Sequence, residues 1–193
     1  MKRVLIVDND DSFTYNLVQL VKESHTAIET VVVRSHKEVT LEEVQQYSHI
    51  IFSPGPSLPK DHPMMFEILE EYESSKVFLG VCLGHQAIGE FYGGKLKQLD
   101  TVVHGQQKEI SWNNQVSRDI KMRPSLKIGL YHSWYIESID PKLPLTVVSR
   151  DKHDRIMAIR HPEHAIFGVQ FHPESIMTEG GETLMSQWLE IEA

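Results

Sequence analysis

The chain reads as an α/β protein built on an open, mostly parallel sheet, with helices on both faces and antiparallel additions in its C-terminal half. Three observations predict this. Short apolar runs recur through the first half, at Val4–Val7, Ile28–Val33, Ile50–Phe52 and Val77–Val81, the pattern of strands buried in a sheet. Amphipathic stretches separate them, and alternation of strand and helix implies parallel pairing. After residue 95 the pattern changes to short strand-like runs without long helices between them.

Taken in order, Val4–Val7 is a buried strand. Ser12 caps a helix to about Glu23, with Phe13, Leu17 and Leu20 on its apolar face. Ile28–Val33 is the second strand. Leu41–Gln46 is helical and starts after Thr40, a suitable N-cap. Ile50–Phe52 is the third strand. Pro63–Glu73 is a helix whose first turn accommodates the proline. Val77–Val81 is the fourth strand, and Gly84–Tyr92 the helix that follows it. Val102-Val103, Lys108–Ser111, Ile128–Tyr131, Leu145–Val148, Ile156–Ile159 and Ile166–Gln170 are the later strands, and Gly181–Leu189 closes the chain as a helix. The sequence contains no repeat, low-complexity tract or linker, so residues 1–193 are expected to form a single domain.

Composition narrows the function. With 40% hydrophobic and 24% charged residues, the chain is an ordinary globular protein with room for a core. The formal net charge of −8 and the absence of a basic run argue against nucleic-acid binding. One cysteine cannot form an internal disulfide, and no residue pattern reads as a metal site. Lys2-Arg3 precede only a short apolar run, whereas a secretory core needs roughly 7–15 residues. Nothing approaches the ~18 apolar residues of a membrane span. A cytoplasmic protein with no membrane association is expected.

That lone cysteine sits in Gly80-Val81-Cys82-Leu83-Gly84-His85-Gln86, directly after an apolar strand. A nucleophile between two closely spaced glycines, with a strand before it and a helix after it, is the pattern of a nucleophile elbow. The glycines let the backbone turn sharply without Cβ clashes. The helix N-terminus favours negative charge and so stabilises a thiolate. A thiol nucleophile needs a base, and the base needs an orienting partner. Gly168-Val169-Gln170-Phe171-His172-Pro173-Glu174-Ser175 supplies both in His172 and Glu174, delivered by a second apolar strand to its carboxyl end. Of eleven histidines, His172 is singled out by that setting. Ile50–Phe52 runs into Ser53-Pro54-Gly55-Pro56, where the Gly55 amide can join that of Leu83 in holding an oxyanion.

These three segments together resemble the class I, triad-type glutamine amidotransferases. Asp8-Asn9-Asp10-Asp11-Ser12-Phe13-Thr14-Tyr15-Asn16-Leu17 is similar to the glutaminase subunits of anthranilate synthase and of para-aminobenzoate (aminodeoxychorismate) synthase, as are His104-Gly105 and Tyr131-His132-Ser133. The resemblance runs from the N-terminus to about residue 185. It implies a class I glutamine amidotransferase-like, flavodoxin-like fold and an enzyme that hydrolyses L-glutamine to glutamate and ammonia. Cys82, His172 and Glu174 would be catalytic, and Gly55 and Leu83 would form the oxyanion hole. Gly55, Gln86, Ser133 and Trp134 would hold glutamine. Asp8, Asp11, Ser12, Asn16, His104 and Gly105 match positions near the interface with a chorismate-binding synthase subunit, component I. The resemblance implies no cofactor or metal in this chain; magnesium is expected in the partner. His85 reads as structural, and His132 as framework or interface.

The chain departs from the family pattern at Ser57, where glycine is usual, at Trp134, where leucine is usual, and at Gln106-Gln107, which replace Lys-Thr. If position 57 needs a positive φ, serine there is costly and the loop is expected to rearrange. Anthranilate synthesis is the favoured pathway; para-aminobenzoate synthesis, or service to both, is the alternative. A stand-alone cysteine hydrolase of the same fold is a weaker fit, because it leaves the N-terminal motif unexplained. A phosphorylation-controlled receiver domain fits least, since Ser53-Pro54 stands where its phosphate-accepting aspartate would be.

Overall fold

A computed structural model describes residues 2–24, 28–117 and 119–193. Its strands are β1 (Lys2–Asp8), β2 (Ile28–Ser35), β3 (His49–Phe52), β4 (Val77–Val81), β5 (Lys95–Trp112), β6 (Ser125–Ser138), β7 (Thr146–Asp151), β8 (Ile156–Arg160) and β9 (Ile166–Val169). Its helices are α1 (Thr14–Ser24), α2 (Leu41–Val44), α3 (Met64–Tyr72), α4 (Leu83–Phe91) and α5 (Gly181–Glu190). The nine strands form one sheet in the order β2-β1-β3-β4-β9-β8-β7-β5-β6.

The strands from β2 to β9 pair in parallel, and those from β9 to β6 pair antiparallel. β9 is therefore a correction to the sequence reading, which grouped Ile166–Gln170 with the antiparallel additions. It lies parallel to β4, with Gly80 opposite Gly168. That register brings the carboxyl ends of β4 and β9 side by side, and with them Cys82 and His172.

Side-chain alternation along buried strands explains the two apolar layers. Val4 and Ile6 join a core with Leu17, Val21, Leu184 and Trp188, beneath α1 and α5. Leu5 and Val7 face the other way, into a core with Val44, Ile68, Leu69 and Ile88 of α2, α3 and α4. Trp188 is fully buried and donates its indole N–H to the Phe78 carbonyl at 3.1 Å, which pins α5 to β4.

Several boundaries differ from expectation. α1 starts at Thr14 rather than after a Ser12 cap, and Asp8 at the end of β1 braces the turn that leads into it. Its Oδ1 accepts from the Thr14 hydroxyl at 2.7 Å and from the Asp11 N–H at 3.2 Å. Phe13 consequently leaves the apolar face and is 44% exposed. Thr40 does cap α2, its hydroxyl accepting from the Glu43 N–H at 3.2 Å. The two runs expected at Val102-Val103 and Lys108–Ser111 belong to one long strand, β5, interrupted by register shifts at Gln98/Val103 and His104/Gln106. Gly105, at φ +62°, sits in the second of these.

Candidate active site

Cys82 occupies the turn between β4 and α4 at φ +51°, ψ −98°, a conformation L-residues rarely adopt. The turn is held from all sides. Cys82 donates its N–H to the Val169 carbonyl of β9 at 2.9 Å, and its own carbonyl accepts from Gln86 at 3.1 Å. The glycines on either side are required by close approach. A Cβ on Gly80 would lie 2.4 Å from the Gly84 carbonyl, and one on Gly84 would lie 2.5 Å from the Phe52 carbonyl.

The neighbouring loops are tied to each other. Asn9, fully buried after β1, donates its backbone N–H to the Ser53 hydroxyl and its side-chain amide to the Ser53 carbonyl, each at 2.9 Å. This brings the Asn9 backbone so close to Gly55 that a Cβ there would sit 2.5 Å from the Asn9 carbonyl oxygen. Gly55 thus stands against Leu83, the first residue of α4, whose N–H has no carbonyl within the helix to receive it.

His172 follows β9 and is only 4% exposed. Its N–H donates to the Gly129 carbonyl of β6 at 3.2 Å, and its carbonyl accepts from the Thr178 hydroxyl at 2.6 Å. Nδ1 lies 2.7 Å from Glu174 Oε1, and both side chains are nearly inaccessible. Nε2 makes no hydrogen bond of good geometry, although Cys82 is near enough to act on the ring. Burial alone would lower the imidazole pKa; the neighbouring Cys82 sulfur, and Glu174 hydrogen-bonded at Nδ1, outweigh it and hold the ring well above the ordinary histidine value. The ring also meets the edge of Tyr131, with centroids 5.0 Å apart.

These groups open on a cavity of about 450 Å³, within the roughly 300–1,000 Å³ of small-molecule sites. Cys82, His172, Gly55, Leu83, Gln86, Ser133 and Trp134 all line it, and so do Asp11, Ser12 and His104. Glu174 stands behind His172. Asp8 is occupied in holding the turn before α1, and Asn16 lines a smaller adjoining cavity of about 280 Å³ with Phe13, His172 and Ile176. Burial raises the Asp11 carboxyl, an effect the charge of His172 opposes. Among the described residues, no group of three or more His, Cys, Asp or Glu side chains is placed to hold a metal ion.

The arrangement places a thiol, an imidazole oriented by a carboxylate, and the Gly55 and Leu83 backbone around one cavity, the residue types an acyl-transfer site needs. The family model described as "Glutamine amidotransferase class-I" matches residues 5–191. The chain belongs to the class I glutamine amidotransferase family. Its relatives within that family include a Haemophilus influenzae protein provisionally named anthranilate synthase component II, 40% identical over 98% of this chain and 96% of the relative. The aminodeoxychorismate/anthranilate synthase component 2 of Bacillus subtilis is 35% identical over 97% and 95% of the two chains. A solved structure from Thermoplasma acidophilum, provisionally described as one of the subunits of GMP synthase, shares the amidotransferase fold at a TM-score of 0.85. It has 17% identity over 98% of this chain and 92% of its own.

Asp10 and Gln170 escaped the sequence reading, and Ser57, which it singled out, has a different outcome from the one expected. Ser57 keeps a φ of +66° instead of letting the loop rearrange. Its hydroxyl donates to the Pro56 carbonyl at 2.6 Å and lies 3.3 Å from His62 Nε2. Asp10 lines the cavity and pairs with Lys37 at 2.6 Å. Gln170, fully buried, donates to Cys82 Sγ at 3.6 Å. The only available signal for Gln170 was its position two residues before His172, just past the end of β9. His85 is fully buried, packs against Gly168 and stays out of the cavity, with burial lowering its pKa to about 3.

Proposed function

We propose that this chain is the glutaminase subunit of a chorismate-using synthase, with Cys82, His172 and Glu174 as its catalytic triad. The observation that carries the reading is the strained Cys82 elbow sharing one cavity with a His172 that is fixed 2.7 Å from Glu174.

Glutamine binds with its side-chain amide over Cys82. The thiolate attacks the amide carbon, and the carbonyl electron pair moves onto oxygen, where the Leu83 and Gly55 N–H groups receive it. His172, protonated at Nε2, gives its proton to the leaving nitrogen as the C–N bond breaks, and ammonia departs. The γ-glutamyl thioester on Cys82 is then attacked by water, whose proton His172 accepts. Glutamate leaves and the thiolate returns. Glu174 holds the ring's orientation and balances its charge throughout. Ser133 and Trp134 offer backbone groups to the substrate α-carboxylate. Gln86 already spends its amide N–H groups on the Trp134 carbonyl at 2.7 Å and on Gln170 Oε1 at 3.2 Å. Its remaining oxygen is an acceptor, which suits the α-ammonium of glutamine. None of these steps calls on a cofactor or metal of this chain.

Ammonia released into neutral water becomes ammonium and loses its nucleophilicity, so delivery requires an acceptor site outside this domain. The relatives are named as second components of anthranilate or aminodeoxychorismate synthase, which supports a component I as the acceptor; chorismate and magnesium would bind there. The surface supports this. Phe13 and Val102, 44% and 58% exposed, stand at the cavity, and the fully exposed Ile176 flanks the adjoining one. Large apolar side chains ringing a catalytic mouth mark a docking surface. Anthranilate synthesis is the favoured assignment, because most of the relatives' names carry it; the Bacillus subtilis relative carries both names.

The test is product identification. The chain and its native partner are given glutamine, chorismate and magnesium, and the product is followed by mass, with Cys82→Ser alongside. Anthranilate with pyruvate places the chain in tryptophan synthesis, and aminodeoxychorismate places it in folate synthesis. Glutamine-dependent product at the wild-type rate from Cys82→Ser overturns the mechanism.

A further inference from the structure

The glutaminase mechanism above uses the triad and two backbone donors, yet a fourth side chain touches the nucleophile. Gln170 is fully buried, and its Nε2 lies 3.6 Å from Cys82 Sγ. Amide nitrogen and oxygen are assigned from their surroundings, and here those surroundings permit one assignment. The Trp134 carbonyl can only accept, so Gln86, 2.7 Å away, must present its NH2 to it. That same NH2 lies 3.2 Å from Gln170, which must then offer its oxygen. Only the Gln170 NH2 remains for the sulfur.

We propose that Gln170 is a catalytic residue of the glutaminase reaction, a fixed N–H donor to the Cys82 thiolate, held in its orientation by a relay from the Trp134 carbonyl through Gln86. A donor that faces sulfur before substrate arrives stabilises the charge the attack requires, and Gln170 and Cys82 are both buried, where such a bond is stronger than in water. It also ties the nucleophile to the wall of the substrate cavity, since Gln86 and Trp134 both line it. The backbone carbonyl, not the side chain, anchors the relay, so tryptophan in place of the family's usual leucine leaves it intact.

This rests on Cys82 being the nucleophile, and one reagent separates the two claims. Iodoacetamide is uncharged and reports thiolate reactivity directly. If alkylating Cys82 in the wild type leaves glutamine hydrolysis unaffected, the nucleophile assignment fails. The Gln170 proposal is tested by Gln170→Met, which removes donor and acceptor at similar length, and by Gln170→Glu, which keeps an oxygen for Gln86 but offers sulfur no N–H when ionised. Both are expected to slow Cys82 alkylation by about tenfold or more, the scale of one hydrogen bond to a charged group. In complex with the partner, Gln170→Glu is expected to lower kcat with KM for glutamine changed less than about twofold. Folding is checked by circular dichroism; should the methionine variant fail to fold, the glutamate variant carries the test alone. Alkylation within twofold of wild type in either folded variant, or a rise in KM with kcat unchanged, overturns the proposal.

Discussion

At the residue scale, the site turns on how His172 is charged. Burial opposes the imidazolium, yet Cys82 and Glu174 outweigh burial and hold the ring well above the ordinary histidine value. Removing the sulfur removes part of what raises it. In Cys82→Ala, the His172 ring followed by NMR should therefore titrate at lower pH than in the wild type. An unchanged titration would mean that Glu174 alone sustains the imidazolium. That Cys82, His172 and Glu174 would meet was legible because each stands in a distinctive setting, cysteine between glycines and histidine two residues from glutamate. Gln170 was not, because a glutamine in a strand-end run reads as an ordinary polar residue until the structure shows its amide buried against Sγ.

At the scale of elements, the loops after β1, β3, β4 and β9 build the site together with β5 and β6 along one wall, and the loops were readable. Short apolar runs marked the buried strands, and the Thr40 cap and the Cys82 turn followed from local chemistry. What could not be read was set by distant partners. Strand direction is absent from an apolar run, so β9 could not be told from an antiparallel strand. Asp8 braces the turn before Thr14 only because the end of β1 comes to lie beside the start of α1. β5 exposes most of its side chains, so little apolar periodicity advertised it. Ser57 belongs here too. It holds φ +66°, a region costing a non-glycine residue about 1 kcal/mol or more. Against this stands its hydroxyl bond to the Pro56 carbonyl, which an exposed turn can replace with water. Ser57→Gly should stabilise the protein by about 0.5–1 kcal/mol in urea unfolding, with glutaminase activity retained. A loss of stability would show that the serine bonds outweigh the backbone strain.

For the whole molecule, buried histidines set the response to acid. Burial lowers His85 to about 3 and His132 to about 4. In the unfolded chain both titrate near ~6.5, so below that pH the unfolded state takes up protons that the folded state refuses. Stability is therefore full above about pH 6.5 and falls as pH drops toward 4, by up to ~2.7 kcal/mol per pH unit for two protons. His172 acts in the opposite direction. Its raised folded value contributes stability that is complete below ~6.5 and lost as pH rises through that folded value. Urea unfolding at pH 7 and pH 5 should show a marked loss of stability at pH 5, and His85→Leu should flatten it by about one proton. Equal stabilities at the two pH values would contradict the buried neutral state of both rings.

The measurement that tests the account most directly is the capture of its intermediate. The chain, docked to its partner, is mixed with glutamine, quenched in acid and digested, and the peptide carrying Cys82 is weighed. A γ-glutamyl adduct on that peptide, absent from Cys82→Ser together with glutamine hydrolysis, is the expected result. Glutamine turnover in Cys82→Ser at the wild-type rate, with no adduct on the wild-type peptide, would contradict it.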